Sequence, residues 1–393
     1  MIEYLRSCSV ANKILFLLLV LVLYNSILVG TSYYTMAFCV MAMILIPVRK
    51  YIDRQAGWLI AFSGLYSLMH ILLGISSRHI PLYLMAPLLF YCYGNFMVDC
   101  LQSRRAIIEF VAIVVFFFSV VTYYTCIIDI GEVGLINPLR IMGRSGVEDS
   151  SMAATLYGLN VSLGLACLFG FLSIDKTERT VIHYFLVLSF ALSLLTTIHL
   201  VNRTGIVLAA ISLIVFLMYS NKGSKSTWII ILLAIGILFY LSTKSGFREI
   251  FDAYTSRKDV EGHGFSDAGS RTEKWLDALS RLFSYPFGWY QDIEYTYTHN
   301  LWLDVARLTG IAPFIAIIGA TIVSVKDTLR LYRIKGDYFA LVLTSILVVF
   351  YLESFVEPVM EGFDLYFYLM CMFIGLKRRY IKNTTSSLVY KTE

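Results

Sequence analysis

The sequence predicts an all-α, polytopic integral membrane protein with about 12 transmembrane helices and one long outer loop. Of its 393 residues, 58% are hydrophobic and only 15% charged, and the mean hydropathy is +0.72. Soluble domains run near 45–50% apolar and about 25% charged, so a soluble globular enzyme is excluded. The apolar residues come in long unbroken runs without the alternation of a barrel strand, and such runs in lipid must be helical to satisfy their backbone hydrogen bonds. A bilayer core of about 30 Å takes roughly 20 apolar residues per helix, so a dozen spans use about 240 positions and leave about 150 for connections.

In chain order the runs fall at 11–30, 33–48, 57–74, 80–100, 106–128, 152–173, 181–200, 204–219, 227–241, 301–323, 338–353 and 363–375. Arg6 and Lys13 precede the apolar stretch Ile14 to Leu23 as in a secretory signal, but no small-residue cleavage site follows, so the first run is read as a retained span. The whole chain, 1–393, reads as a single transmembrane domain with the loop 242–298 inside it. Taking alternate connections as cytoplasmic places 20 of the 32 Lys and Arg on that side, and seven of the other 12 lie in the one long loop. Length makes the translocation of such a loop less sensitive to charge, so both termini are expected in the cytoplasm. A second outer loop spans 129–151, and short helices are expected in the long loop at 247–256 and 271–284. No repeat relates the two halves, which speaks against inverted-repeat transport. The seven cysteines lie in or beside apolar runs, so no exported disulfide framework is expected. Asn160 stands in an Asn-Val-Ser glycosylation pattern, but inside a span, and is read as a chance match.

Three outer residues invite a chemical reading. Arg203, in IHLVNRTG, sits at the outer mouth of a span, where the positive-inside tendency gives no reason for a cation. Its plainer reading is an interfacial arginine with an outward-snorkelling stem. Arg271, in DAGSRTEKW, precedes the aromatic turn SYPFGW; its plainer reading is a solvated loop helix with Glu273 and Lys274. His299, in YTYTHNLWLDV, stands between Thr298 and Asn300, either of which can cap the following helix, with Trp302 as an interfacial anchor. Capping does not explain the imidazole, whose unperturbed pKa lets it exchange a proton near neutral pH.

Taken together with Arg140 and Arg144, which are spaced to share one face of a helical turn, these residues point to an anionic substrate. Arginine forks bind phosphate oxygens in bidentate fashion and keep their charge, so a pair of them can hold a diphosphate and stabilise it as it leaves. The histidine can deprotonate an attacking hydroxyl. Tyr295 and Trp302, in a group with Tyr285, Trp289, Tyr290 and Tyr297, suit stacking on sugar rings or, for Trp302 above all, anchoring at the membrane interface. Glu353, Glu357 and Glu361 recur every four residues, but Pro358 interrupts the helix between them, so they are read as a solvated turn. The six histidines are scattered, and no spacing of His, Cys and Asp resembles a zinc site.

NRTG at 202–205, SRTEKW at 270–275 and THNLWLDVARLTG at 298–310 occur in that order around one long loop. In this the chain resembles the bacterial O-antigen polymerase and O-antigen ligase superfamily of polytopic membrane enzymes. One departure is that Pro286-Phe-Gly-Trp-Tyr supplies only Gly288 where the family often has a Gly-x-Gly turn. The resemblance implies an inverting glycosyltransferase that needs neither metal nor cofactor and acts on undecaprenyl-diphosphate-linked glycans. It places the active site and the loop 242–298 at the periplasmic face of the bacterial inner membrane. It assigns Arg203 and Arg271 to the donor diphosphate, His299 to general-base or acceptor-orienting duty, and Asn300 to holding the imidazole or a sugar hydroxyl. The implied partners are a lipid-linked donor and acceptor, the lipid bilayer and a chain-length regulator protein, with no nucleic acid. Polymerase is the favoured reading, with ligase (transfer of the glycan to lipid A core) as the alternative and a lipid-linked oligosaccharide flippase as the second.

Overall fold

The computed structural model describes residues 9–28, 31–75, 79–137, 139–143, 151–174, 176–220, 252, 254, 271–290, 297–334 and 336–389. Helices α1 (Val10–Tyr24), α2 (Thr31–Leu45), α3 (Arg54–Leu72), α4 (Ile80–Leu101) and α5 (Arg104–Val133) lead to a two-stranded antiparallel hairpin. Its strands, β1 (Ile141–Gly143) and β2 (Ser151–Ala153), pair Met142 with Met152. Helices α6 (Ala154–Leu165), α7 (Cys167–Ser173), α8 (Tyr184–His199) and α9 (Arg203–Ser220) follow. The C-terminal part holds α10 (Arg271–Arg281), α11 (Leu301–Thr309), α12 (Ile311–Tyr332), α13 (Tyr338–Val356), the short α14 (Val359–Gly362) and α15 (Asp364–Val389).

Among the described residues, six helical segments are long and apolar enough to cross a membrane: Ile80–Leu101, Arg104–Val133, Ala154–Ser173, Val181–His199, Ile311–Tyr332 and Tyr338–Val356. Val10–Tyr24, Thr31–Leu45 and Arg203–Tyr219 are shorter apolar helices. The protein is therefore helical and membrane-embedded, as its composition requires. The expected segment 227–241 and the expected loop helix at 247–256, apart from residues 252 and 254, lie outside the described residues. The other loop helix is present as α10.

One expected span is divided. Residues 301–323 read as a continuous apolar run, but the helix breaks at Gly310 (φ +83°), giving α11 and a longer α12 that continues to Tyr332. The aromatic turn causes the break. Trp289 N–H donates to Arg307 O (2.9 Å) and Ile311 N–H to Pro286 O (3.0 Å), so the turn lies across the elbow. A Cβ at 310 would stand 2.1 Å from Pro286 O, which only glycine avoids.

Small residues set the closest helix contact. A Cβ on Gly94 of α4 would lie 2.0 Å from Met372 O, and one on Gly375 of α15 would lie 2.1 Å from Tyr91 O. In lipid, where apolar burial between helices gains little, such backbone approach supplies much of the association. Gly94→Ala is expected to force α4 and α15 apart at a cost of about 1–3 kcal/mol, read as a lower melting temperature of the purified protein in detergent.

A polar chain inside the bundle supplies the rest. Asn160 Nδ2 donates to Ser26 Oγ (2.9 Å), which donates to Phe118 O (2.8 Å), while Thr122 Oγ1 donates to Asn160 Oδ1 (2.7 Å). Asn160 is fully buried, so its glycosylation pattern has no exposed acceptor.

Polar contacts gather the helix ends into two groups. At one, His199 Nε2 meets Asp129 (2.7 Å) and His79 meets Asp364 (3.3 Å). At the other, Arg378 Nε meets Asp53 (2.9 Å), Lys50 meets Asp99 (2.7 Å) and Thr180 Oγ1 donates to Glu109 (2.8 Å). Arg140, Arg203, Arg271 and His299 belong to the first group.

Candidate functional site

The site is built where three helix ends and the hairpin meet. Arg203 opens α9 after a turn in which Val201 has φ +48° and Asn202 Oδ1 accepts from Gly205 N–H at 3.4 Å. Arg271 is the first described residue of α10. A cation in the first turn faces the positive end of the helix dipole, an arrangement that costs about 0.3–1 kcal/mol. Arg203 is therefore not explained by the stability of its own helix. Arg203 is held from the loop, its Nε and Nη2 donating to Tyr254 O at 3.1 and 2.7 Å, while Tyr254 OH donates to Thr197 O at 2.7 Å.

Glu357 joins the other two residues. Its Oε1 accepts from Arg271 Nη2 at 3.0 Å, and its Oε2 lies 3.5 Å from His299 Nδ1. The carboxylate side chain is only 7% exposed, whereas Arg271 and His299 are 23% and 26% exposed. A buried acid thus hydrogen-bonds Arg271 and faces His299, and both of those groups keep an open side. The solvated-turn reading of the glutamates is overturned here. Pro358 does end α13 at Val356, but Glu353 and Glu357 are both buried, and Glu361 pairs with the buried Arg307. Repetition every four residues carried a signal, and the proline hid it by suggesting exposure.

Arg140 completes the cluster from the hairpin. Burial lowers its pKa; Glu357 opposes that shift, and the neighbouring positive charges of Arg203 and Arg271 add to it. Those influences identify Arg140, Arg203, Arg271 and Glu357 as electrostatic neighbours. Arg140 Nε donates to Leu200 O at 3.1 Å, and its backbone is left-handed (φ +58°). It leads into a strand, so the expected helical turn shared with Arg144 is replaced by a hairpin; Arg144 itself lies outside the described residues. The lead-in is braced by Asn137, whose Nδ2 donates to Asp129 at 2.7 Å and whose Oδ1 accepts from Arg140 N–H at 3.0 Å.

His299 is placed by a local clamp. Asp304 Oδ1 accepts from Thr298 N–H (2.7 Å) and Thr298 Oγ1 (2.8 Å), and Oδ2 accepts from Asn300 N–H (3.3 Å). One carboxylate therefore grips the amides on both sides of His299 and turns that residue into the left-handed region, φ +56°. Left-handed backbone is costly for a residue with a Cβ and marks strain held by its surroundings. Arg307 lies beside Asp304 (Nε to Oδ1, 3.7 Å) with only 1% of its side chain exposed.

Two expected binding residues turn out to be structural. Asn300 caps α11 by accepting from Leu303 N–H (3.1 Å), and its Nδ2 donates to Phe355 O (3.1 Å), so it does not hold the imidazole. Trp302 donates to Thr321 Oγ1 at 3.0 Å and packs on Phe355, with ring centroids 6.1 Å apart. Tyr295 lies outside the described residues. Among the described residues no group of three His, Cys, Asp or Glu is disposed to hold a metal ion.

The arrangement presents three guanidiniums around one carboxylate and an imidazole whose Nδ1 faces that carboxylate. It can bind a multiply charged anion and take up a proton beside it. In comparisons with known proteins, the chain matches no family model and no curated protein.

Proposed function

We propose that the protein is an O-antigen polymerase, an inverting, metal-independent glycosyltransferase that joins undecaprenyl-diphosphate-linked oligosaccharide repeats at the periplasmic face of the bacterial inner membrane. The observation that carries this reading is the Glu357 bridge, which holds Arg271 and His299 together beside Arg140 and Arg203. On the expected arrangement of twelve spans with both termini in the cytoplasm, that cluster lies at the outer leaflet, where lipid-linked repeats are presented.

The chemistry follows from the charges. Arg203 and Arg271, assisted by Arg140, bind the donor diphosphate. As the bond from the anomeric carbon to the phosphate oxygen breaks, negative charge grows on the diphosphate, and the guanidiniums stabilise it without an acid donating a proton. The acceptor hydroxyl attacks that carbon from the opposite side and inverts it. Its proton passes to His299 Nε2, while Glu357 near Nδ1 stabilises the imidazolium that forms. Lipid diphosphate leaves, and the glycan is longer by one repeat.

The test is reconstitution of the purified protein with a synthetic lipid-diphosphate repeat, with and without lipid A core. Polymer formed from the repeat alone supports the proposal. Glycan transferred only when lipid A core is added makes the protein a ligase instead, and translocation of the lipid-linked repeat without new glycosidic bonds makes it a transporter.

A further inference from the structure

The helix ends opposite the candidate site enclose a second charged cavity of about 560 Å³ where α4, α5 and α15 meet the short turn Val48–Tyr51. Among the described residues, three cations line it, Lys50, Arg104 and Arg379, with one carboxylate, Asp99. Asp99 is shared, lying 2.7 Å from Lys50 Nζ and 2.5 Å from Arg379 Nε, and it also accepts from Tyr51 OH at 3.1 Å. Arg104 has Asp337 at 3.9 Å, a loose pairing with a carboxylate buried away from the cavity lining. Lys50 and Arg104 are each about half exposed, at 51% and 53%, so both keep donors open to a ligand while paired. Asn383 and Thr384 add polar groups from α15.

The cavity has the makings of an anion site. Its positive charge exceeds the one carboxylate within it, its donors come from separate elements, and Asp99 orders Arg379 and Lys50 before any ligand arrives. A phosphate oxygen presented there would meet an ammonium and two guanidiniums, the combination that charge-assisted hydrogen bonding favours. We propose that this cavity binds a phosphate group, with Lys50 and Arg379, ordered by Asp99, as its fixed donors and Arg104 as the looser one. The headgroup of an anionic phospholipid and a free phosphate share that chemistry. The position at the helix ends of a membrane protein suits the headgroup, since basic residues there are drawn to an anionic leaflet.

The full-length protein in neutral detergent decides the matter. Binding is measured by native mass spectrometry and by melting temperature, with phosphatidylglycerol, with phosphatidylcholine and with inorganic phosphate as separate additives. Phosphatidylglycerol is expected to bind and raise the melting temperature, and phosphatidylcholine to do neither. Lys50→Ala with Arg104→Ala is expected to weaken phosphatidylglycerol binding at least tenfold, and Asn383→Lys, on an exposed position of the lining, to tighten it severalfold. An equal effect from inorganic phosphate, lost in the same double variant, supports the site and identifies the ligand as soluble. Equal binding of phosphatidylglycerol and phosphatidylcholine, no binding of any additive, or binding unaltered by both the double variant and Asn383→Lys overturns the proposal. The Asn383→Lys arm reads a gain, so a folding defect in the double variant does not imitate the expected pattern.

Discussion

His299→Ala is expected to lower polymer turnover by about 10²–10⁴-fold, the range for loss of a general base, with little change in donor affinity. The expectation rests on geometry: His299 is partly exposed, its Nδ1 faces the buried Glu357, and Asp304 fixes its backbone from both sides. Glu357→Gln keeps the shape and removes the charge that steadies an imidazolium. A hydrogen bond to a charged group is worth about 1.5–3 kcal/mol, so Glu357→Gln should cost about 10–100-fold in turnover. The check is single-turnover elongation of a labelled lipid-linked repeat by wild type and both variants, each first shown to melt normally. Wild-type turnover in His299→Ala would remove the imidazole from the reaction.

Arg271→Lys and Arg203→Lys are each expected to lower turnover by about 10²–10³-fold, as for loss of one donor to developing charge. Lysine preserves the charge but not the planar fork that meets two oxygens at once. For Arg271 the substitution also breaks the 3.0 Å bond that seats Glu357, so the donor and the base are disturbed together. Double substitution of Arg271 and His299 should therefore cost less than the two single losses combined. Arg330→Ala, which alters a surface arginine 67% exposed at the far helix ends, serves as the control and should leave turnover unchanged. Equal activity of both lysine variants and wild type would show that point charge is enough and that no bidentate contact is made.

The helical segments were legible because lipid leaves little choice: an apolar run of sufficient length must close its own hydrogen bonds. The break at Gly310 was not, although Asp304, Arg307, Gly310 and Pro313 stand within 301–323. It depends on Pro286 and Trp289, distant in sequence, lying across the elbow. Arg203, Arg271 and His299 stood out because each is charged or titratable where neither capping nor the positive-inside tendency requires it. Glu357 was obscured by the proline beside it, and its role depends on a contact with Arg271, 86 positions earlier in the chain. Arg140 was noticed for its spacing from Arg144, but helical spacing was the wrong measure because the local chain forms a hairpin. Asn300 and Trp302 make contacts a sequence pattern cannot show: a cap and a carbonyl engage the Asn300 amide, and a hydroxyl engages the Trp302 N–H.

On the proposed function, the left-handed backbone at His299 sets chemistry and thermodynamics at odds. Glycine would occupy φ +56° without penalty, relieving roughly 1–2 kcal/mol. Directed evolution of this protein for heat resistance alone would drift toward a sturdier but inert chain at that position, so any such campaign needs a catalytic counter-screen.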